Sequence, residues 1–152
     1  VLVHATGTAA IVITHTGDED LVYPALTKDT HLVLSGTHVT DIAATITGGG
    51  FIEVENNGGH VAATVTGSGT IEVLNNGAAV AATQTGTGLI SIVNYGQVMT
   101  ATNTGSGIMT ISSMATGAVT VTNTGNGNLT VSAAGTNPIT VTHTGDDNSA
   151  YP

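Results

Sequence analysis

The stretch that decides the fold is Val61-Ala-Ala-Thr-Val-Thr-Gly-Ser-Gly-Thr-Ile-Glu-Val-Leu-Asn-Asn-Gly77. Its side chains alternate in character from Val61 to Thr66, and Gly67-Ser68-Gly69 then interrupts the alternation. A second alternating segment runs from Thr70 to Asn75 and ends at Asn76-Gly77. Alternation by two is typical of a half-buried strand, and Gly-x-Gly and Asn-Gly favour tight turns because glycine and asparagine accept positive φ. The stretch therefore predicts two strands and two turns.

This stretch is one copy of a repeat that runs through most of the chain. The string Thr-x-Thr-Gly marks seven copies of the repeat, with their glycines at Gly17, Gly48, Gly67, Gly86, Gly105, Gly125 and Gly145. From Gly48 onward the copies follow in steps of 19, 19, 19, 20 and 20 residues, whereas the first step is 31 residues. Glycine, threonine and β-branched residues at such a period indicate repetitive β structure and not helical repeats.

The steps divide the chain into four predicted segments. Residues 1–17 form a first repeat-like strand pair, and residues 18–41 form an irregular acidic insertion. Residues 42–145 hold five and a half regular β repeats, and residues 146–152 form a terminal acidic turn.

Alternation by two also assigns the two faces of each strand. In the first strand of each repeat, the inward face begins with Ile42, Val61, Val80, Met99, Val119 and Ile139, and continues with Ala44, Ala63, Ala82, Ala101, Val121 and Val141. In the second strand, the inward face ends with Asn56, Asn75 and Asn94 in three successive repeats. An asparagine at one inward position per repeat predicts a ladder of side-chain amides.

Two architectures fit an all-β chain with repeats of ~19–20 residues. One is a repetitive β-solenoid, in which each repeat forms one coil of a single chain. The other is an intertwined trimeric β-fibre, in which three chains complete one another's sheets. The small inward alanines and valines would leave a thin core in one chain, which favours association.

Composition excludes several functions. The 152 residues contain one basic side chain, Lys28, against ten acidic ones, which gives a formal charge of −9. One cation cannot neutralise several phosphates, so we expect no binding to nucleic acid. No apolar run approaches ~18 residues, so we expect no membrane insertion. We find no catalytic constellation and expect no enzyme activity and no cofactor, although the outward Glu53, Glu55 and Glu72 would be the candidates for a glycosidase pair.

The repeats resemble a known family. The strings Met99-Thr-Ala-Thr-Asn-Thr-Gly-Ser-Gly-Ile-Met-Thr-Ile-Ser112 and Val119-Thr-Val-Thr-Asn-Thr-Gly-Asn-Gly-Asn-Leu-Thr-Val-Ser132 resemble the β-repeat segments of bacteriophage tail fibres and related fibrous surface proteins. The resemblance covers roughly residues 39–145. It implies a structural shaft that self-assembles, as a homotrimer or an end-to-end filament, in an extracellular location or on a virion surface.

The two ends of the chain resemble each other. Ile13-Thr-His-Thr-Gly-Asp-Glu-Asp-Leu-Val-Tyr-Pro24 matches Val141-Thr-His-Thr-Gly-Asp-Asp-Asn-Ser-Ala-Tyr-Pro152 at an offset of 128 residues. Either the chain is one segment of a longer array that stacks into a filament, or both ends reuse one loop sequence.

The outward threonines are the sharpest chemical feature. They occur as a pair in every regular repeat: Thr45 and Thr47, Thr64 and Thr66, Thr83 and Thr85, Thr102 and Thr104, Thr122 and Thr124, Thr142 and Thr144. A flat array of methyls and hydroxyls resembles the Thr-x-Thr ice-binding faces of insect antifreeze β-solenoids, which implies an alternative function in ice binding. Threonine also suits exposed strand positions for structural reasons alone. We expect the 20-residue steps and the 31-residue gap to spoil a perfect grid.

Two groups of residues are candidate metal ligands. Asp18 and Asp20, and likewise Asp146 and Asp147, follow a Thr-x-Thr-Gly string and could hold Ca²⁺, or could form a solvated acidic turn. His15 and His143 occupy equivalent inward positions, where copies from three chains could meet and bind a transition metal, or where each imidazole could be hydrogen-bonded at a strand end.

Overall fold

The fold comes from a computed structural model, which describes residues 2–4, 11–15, 31–35, 42–49, 51–56, 59–75, 77–114, 116–134 and 137–145. Every regular element in these ranges is a strand. The strands are β1 Leu2–His4, β2 Ile11–His15, β3 His31–Ser35, β4 Ile42–Ile46, β5 Phe51–Asn56, β6 Val61–Val65, β7 Thr70–Asn75, β8 Val80–Gln84, β9 Leu89–Asn94, β10 Met99–Asn103, β11 Ile108–Ser113, β12 Val119–Asn123, β13 Leu129–Ala133 and β14 Ile139–His143. No helix of these ranges is long and apolar enough to cross a membrane.

The strands form two parallel sheets of seven strands each. The first, which we call the odd sheet, has the order β1-β3-β5-β7-β9-β11-β13, and the second, the even sheet, has the order β14-β12-β10-β8-β6-β4-β2. Each coil of the chain gives one strand to each sheet, so every strand pairs with the strand one coil away. This confirms the β-solenoid. The intertwined trimer is wrong, because one chain completes both sheets by itself.

One apolar core fills the space between the sheets, and it combines large side chains with small ones. The odd sheet contributes Ile52, Ile71, Ile90 and Ile111, while the even sheet contributes alanines such as Ala63. All of these side chains are buried. The large side chains of one sheet offset the small ones of the other in the buried core. The core is therefore complete in one chain, although the small row alone predicted a thin one.

Polar side chains close the corners of the coils. Asn75 Nδ2 donates to Asn94 Oδ1 at 2.7 Å, which confirms the predicted amide ladder for this pair. Each of the two asparagines also accepts a hydrogen bond from the backbone N–H two residues later, at Gly77 and Gly96. The backbone of Asn56 lies in register with Asn75. These bonds give partners to both Oδ1 atoms and to Asn75 Nδ2, whereas the buried Asn94 Nδ2 has none among the described residues.

The change from 19-residue to 20-residue steps lies in the connection that leads from the odd sheet to the even sheet. Four residues, 95–98, connect β9 to β10, whereas five residues, 114–118, connect β11 to β12. Five residues, 134–138, again connect β13 to β14. The strands keep the same register across the change, since Ala101 pairs with both Ala82 and Val121.

The insertion is shorter than predicted from the sequence. Residues 31–35 were assigned to the irregular segment 18–41, but they form β3, which pairs with β1 and β5. The alternating His31-Leu-Val-Leu-Ser35 lacks the Thr-x-Thr-Gly string by which repeats were recognised. A strand can therefore form from alternating residues even where the Thr-x-Thr-Gly string is absent.

Candidate functional surface

The outward threonines of the even sheet form straight rows. The strand threonines are register partners from coil to coil, in the series Thr14, Thr45, Thr64, Thr83, Thr102, Thr122 and Thr142. Neighbouring parallel strands lie about 4.8 Å apart, so the row repeats at that spacing. The side chains from Thr45 to Thr122 are half-buried, and Thr142 in the last coil is exposed.

A second row lies just beyond the strand ends and is more exposed. It consists of Thr47, Thr66, Thr85, Thr104, Thr124 and Thr144. Their backbones continue the ladder: the N–H of Thr85 donates to the carbonyl of Val65 at 2.9 Å, and the N–H of Thr104 donates to that of Gln84 at 2.8 Å. Because the backbone is fixed in this way, the exposed threonines are held in line although they lie outside the strands.

The expectation that the 20-residue steps spoil the grid is wrong. Thr102 pairs with Thr83 across a 19-residue step and with Thr122 across a 20-residue step. Thr14 also pairs with Thr45 across the 31-residue gap. Extra residues lie in the connections between strands, so the row itself is unbroken.

The surface around these rows is uncharged. The position two residues before the strand threonine is alanine in three coils and threonine in the next three: Ala43, Ala62, Ala81, Thr100, Thr120 and Thr140. No Asp, Glu, Lys or Arg occupies any of these three outward positions from β4 to β14. We call this surface the threonine face. A sheet of short, stiff, neutral side chains presents a flat surface to its surroundings.

The candidate metal ligands are not brought together among the described residues. Asp18, Asp20, Asp146 and Asp147 lie outside the described residues, and only the backbone of His15 is described. His143 is half-buried at the end of β14. In the part of the chain that the structure describes, no group of three or more His, Asp or Glu side chains could hold a metal ion.

The outward face of the odd sheet carries apolar side chains and a pair of acids. Ile108 is 44% exposed and Leu74 37% exposed, while Phe51, Leu89 and Val93 are half-buried. The acids on the same face, Glu53 and Glu72, are register neighbours.

The last coil exposes an apolar row that the coils before it bury. Val61, Val80, Met99 and Val119 are at most 3% exposed, but Ile139, which continues their row, is 39% exposed. The burial pattern of β12 alternates between buried and exposed residues, whereas β14 has no fully buried residue. The alternation in the sequence marked Ile139 as inward, but it does not predict that Ile139 is exposed.

Comparisons with protein-family models, with curated proteins and with solved structures found no match to this chain.

Proposed function

We propose that the chain is a structural segment of a fibre that self-assembles by stacking end to end. The observation that carries this proposal is the 39% exposure of Ile139, in a row whose members in the four coils before it, Val61, Val80, Met99 and Val119, are buried. Apolar surface exposed at the edge of a parallel sheet favours association with another strand. Among the described residues no strand pairs with the outer edge of β14, so this edge offers hydrogen bonds beside the exposed apolar row.

Two further features of the chain support a structural role. The coils stack in register with a continuous core, which is the design of a rod with little internal freedom. With seven strands in each sheet, every added copy would lengthen a filament by about 34 Å. The resemblance to tail-fibre repeats and other fibrous surface proteins agrees with such a role, at a virion surface or in an extracellular filament.

Electron microscopy of the purified chain tests the proposal. We expect unbranched filaments of uniform width that grow longer as the protein concentration rises. Ile139→Asp should abolish them, because it places a charge on the exposed end of the core. Thr140→Asp is the matched control, since its side chain points to the outward face of the same strand, and filaments should persist. Compact single particles of the wild-type chain at every concentration would contradict the proposal.

A second candidate function, ice binding, is favoured by the unbroken rows of the threonine face. The rows repeat at about 4.8 Å along the stack, and threonines two apart on one strand lie about 6.6 Å from each other. Methyls and hydroxyls fixed at such spacings can order water into a lattice, and no charge disturbs the surface. Unlike assembly, this function needs only a single copy of the chain.

Thermal hysteresis and the shape of ice crystals test this second candidate. The wild-type chain should shape ice, and Thr102→Tyr together with Thr122→Tyr should remove the effect by breaking the flat rows. Thr130→Tyr is the matched control, because Thr130 is also an outward strand threonine but lies on the odd sheet. An inactive wild-type chain, or equal losses in all variants, would eliminate ice binding.

A further inference from the structure

The two ends of the stack carry similar strands. β2 and β14 are the first and last strands of the even sheet, and β1 and β13 hold the same positions in the odd sheet. β2 reads Ile-Val-Ile-Thr-His and β14 reads Ile-Thr-Val-Thr-His, so they agree at the first, fourth and fifth residues. The even-sheet strands at the two ends of the stack are therefore close copies of each other.

Among the described residues, no strand pairs with the outer edge of β2 or of β14, and each of these strands shows what the outer edge of the other can accept. β2 pairs with β4 through the edge that faces the C-terminal coils, while β14 pairs with β12 through the opposite edge. Because the two strands are near copies, the edge that is free in β14 is the edge by which β2 binds a neighbour. The edge that is free in β2 is likewise the one by which β14 binds β12. Both free edges thus suit a parallel strand in register.

The end coils also match in length. In the odd sheet one inward column begins at Val3 and ends at Val131, and in the even sheet one begins at Ile13 and ends at Val141. Ile13 follows Val3 by ten positions, and Val141 likewise follows Val131 by ten positions. The equivalent residues 73 and 82 of a middle coil are nine positions apart. One rigid placement of a second copy therefore brings both sheets into pairing at the same time.

We propose that β14 of one copy pairs with β2 of a second copy, and β13 with β1, so that both sheets continue in parallel across the junction. This inference rests on the proposed filament function and specifies its contact. Ile139 would be covered by Ile11 of the second copy, and Val141 by Ile13. The resulting filament is polar, because every copy points the same way.

The backbone bonds at the junction follow from those inside the solenoid. The N–H of Val80 donates to the carbonyl of Val98, the residue before its register partner. At the junction, the N–H of Val141 donates in the same way to the carbonyl of Val12 of the second copy. Successive N–H groups of a strand point to opposite sides, and Thr144 donates to Asn123 within its own chain. The N–H of Val141 therefore points away from β12, toward the free edge.

Disulfide trapping tests the register, because the chain contains no cysteine. Thr14→Cys and Thr142→Cys variants are prepared separately, mixed and oxidised. Register partners on neighbouring strands lie about 4.8 Å apart, within the Cα separation of about 4.4–6.8 Å that a disulfide requires. We expect the mixture to give a covalent dimer of twice the 15.0 kDa chain mass, and each variant alone to give none.

The control is a pair displaced by two residues. Mixing Val12→Cys with Thr142→Cys places the Cα atoms about 8 Å apart, so we expect at least about tenfold less covalent dimer. Equal yields from both mixtures, or dimers of Thr142→Cys with itself, would overturn the proposed junction. If the wild-type chain does not assemble at all, the filament function itself has failed. Filaments without the expected cross-link refute only the junction.

A proline gives a second, independent test. Val141→Pro removes the N–H at the free edge but no hydrogen bond within the solenoid, so filaments should be lost while the circular dichroism spectrum is kept. Val141→Ala, which keeps the N–H, should still form filaments. Filaments of unchanged length from the proline variant would show lateral or other contacts and contradict the proposal.

Discussion

Buried polar side chains stand at one kind of position in this protein, the last residue of a strand. Asn75, Gln84, Asn94, Asn103, Ser113 and Asn123 are the buried polar residues of the described regions. Each amide of the even sheet donates to a carbonyl four residues later, as Asn103 Nδ2 does to Gly107 at 3.4 Å and Asn123 Nδ2 to Gly127 at 3.1 Å. The polar groups thereby hold the turns while the strand interiors stay apolar.

Removing one such amide should destabilise the fold more than its size suggests. Asn103→Leu leaves the Gly107 carbonyl and the Gly105 N–H, which bonds to Asn103 Oδ1 at 3.1 Å, without their partners. We expect a loss of about 2–3 kcal/mol in the free energy of unfolding. Chemical denaturation measures it, with Asn126→Leu in the exposed part of the nearby turn as control. A control that loses as much as Asn103→Leu would contradict this role.

The turn glycines are required by the closeness of successive coils. A Cβ on Gly105 would clash with the carbonyl oxygen of Gly86 and lie 2.6 Å from the carbonyl carbon of Thr85. We expect Gly105→Ala to lower the stability by about 2–3 kcal/mol. Ser106→Ala, at the exposed neighbouring residue, should change it by less than about 0.5 kcal/mol. Calorimetric melting temperatures would separate these outcomes, and equal temperatures for the two variants would disprove the requirement.

Turns can accept an extra residue, whereas an extra residue inside a strand reverses its faces. This difference explains which features the sequence could predict. The alternation around Val61 and Thr70 predicted both strands and their buried faces, since side-chain direction is a local property of a strand. The burial of the core within one chain was missed because the small alanine row was weighed without the large isoleucine row of the other sheet. The straightness of the threonine rows was missed because the repeat step counts turn residues and strand residues alike.

Insertions at two places of one coil should therefore have opposite effects. One alanine inserted after Tyr95 converts the four-residue turn 95–98 into the five-residue length of the next coil, and we expect a loss below about 1 kcal/mol. One threonine inserted after Ala101 reverses the faces for the rest of β10 and should cost several times more. Urea denaturation compares the two. Similar losses would show that the register is not held by the strands.

At the scale of the whole molecule, the described coils share one continuous core, and its apolar row is exposed at β14. Both sheets and the core need only one chain, so association is not required to form the coils. In the proposed filament, association would act at β14, where Ile139 is exposed. The threonine face lies on the side of the stack and would remain accessible in a filament.

The native mass of the purified chain as a function of concentration tests the central claim most directly. Assembly by end-to-end stacking predicts a series of species at integral multiples of 15.0 kDa, whose average mass rises continuously with concentration. A single species of 15.0 kDa at all concentrations would contradict the claim, and a single closed oligomer of fixed size would contradict it equally.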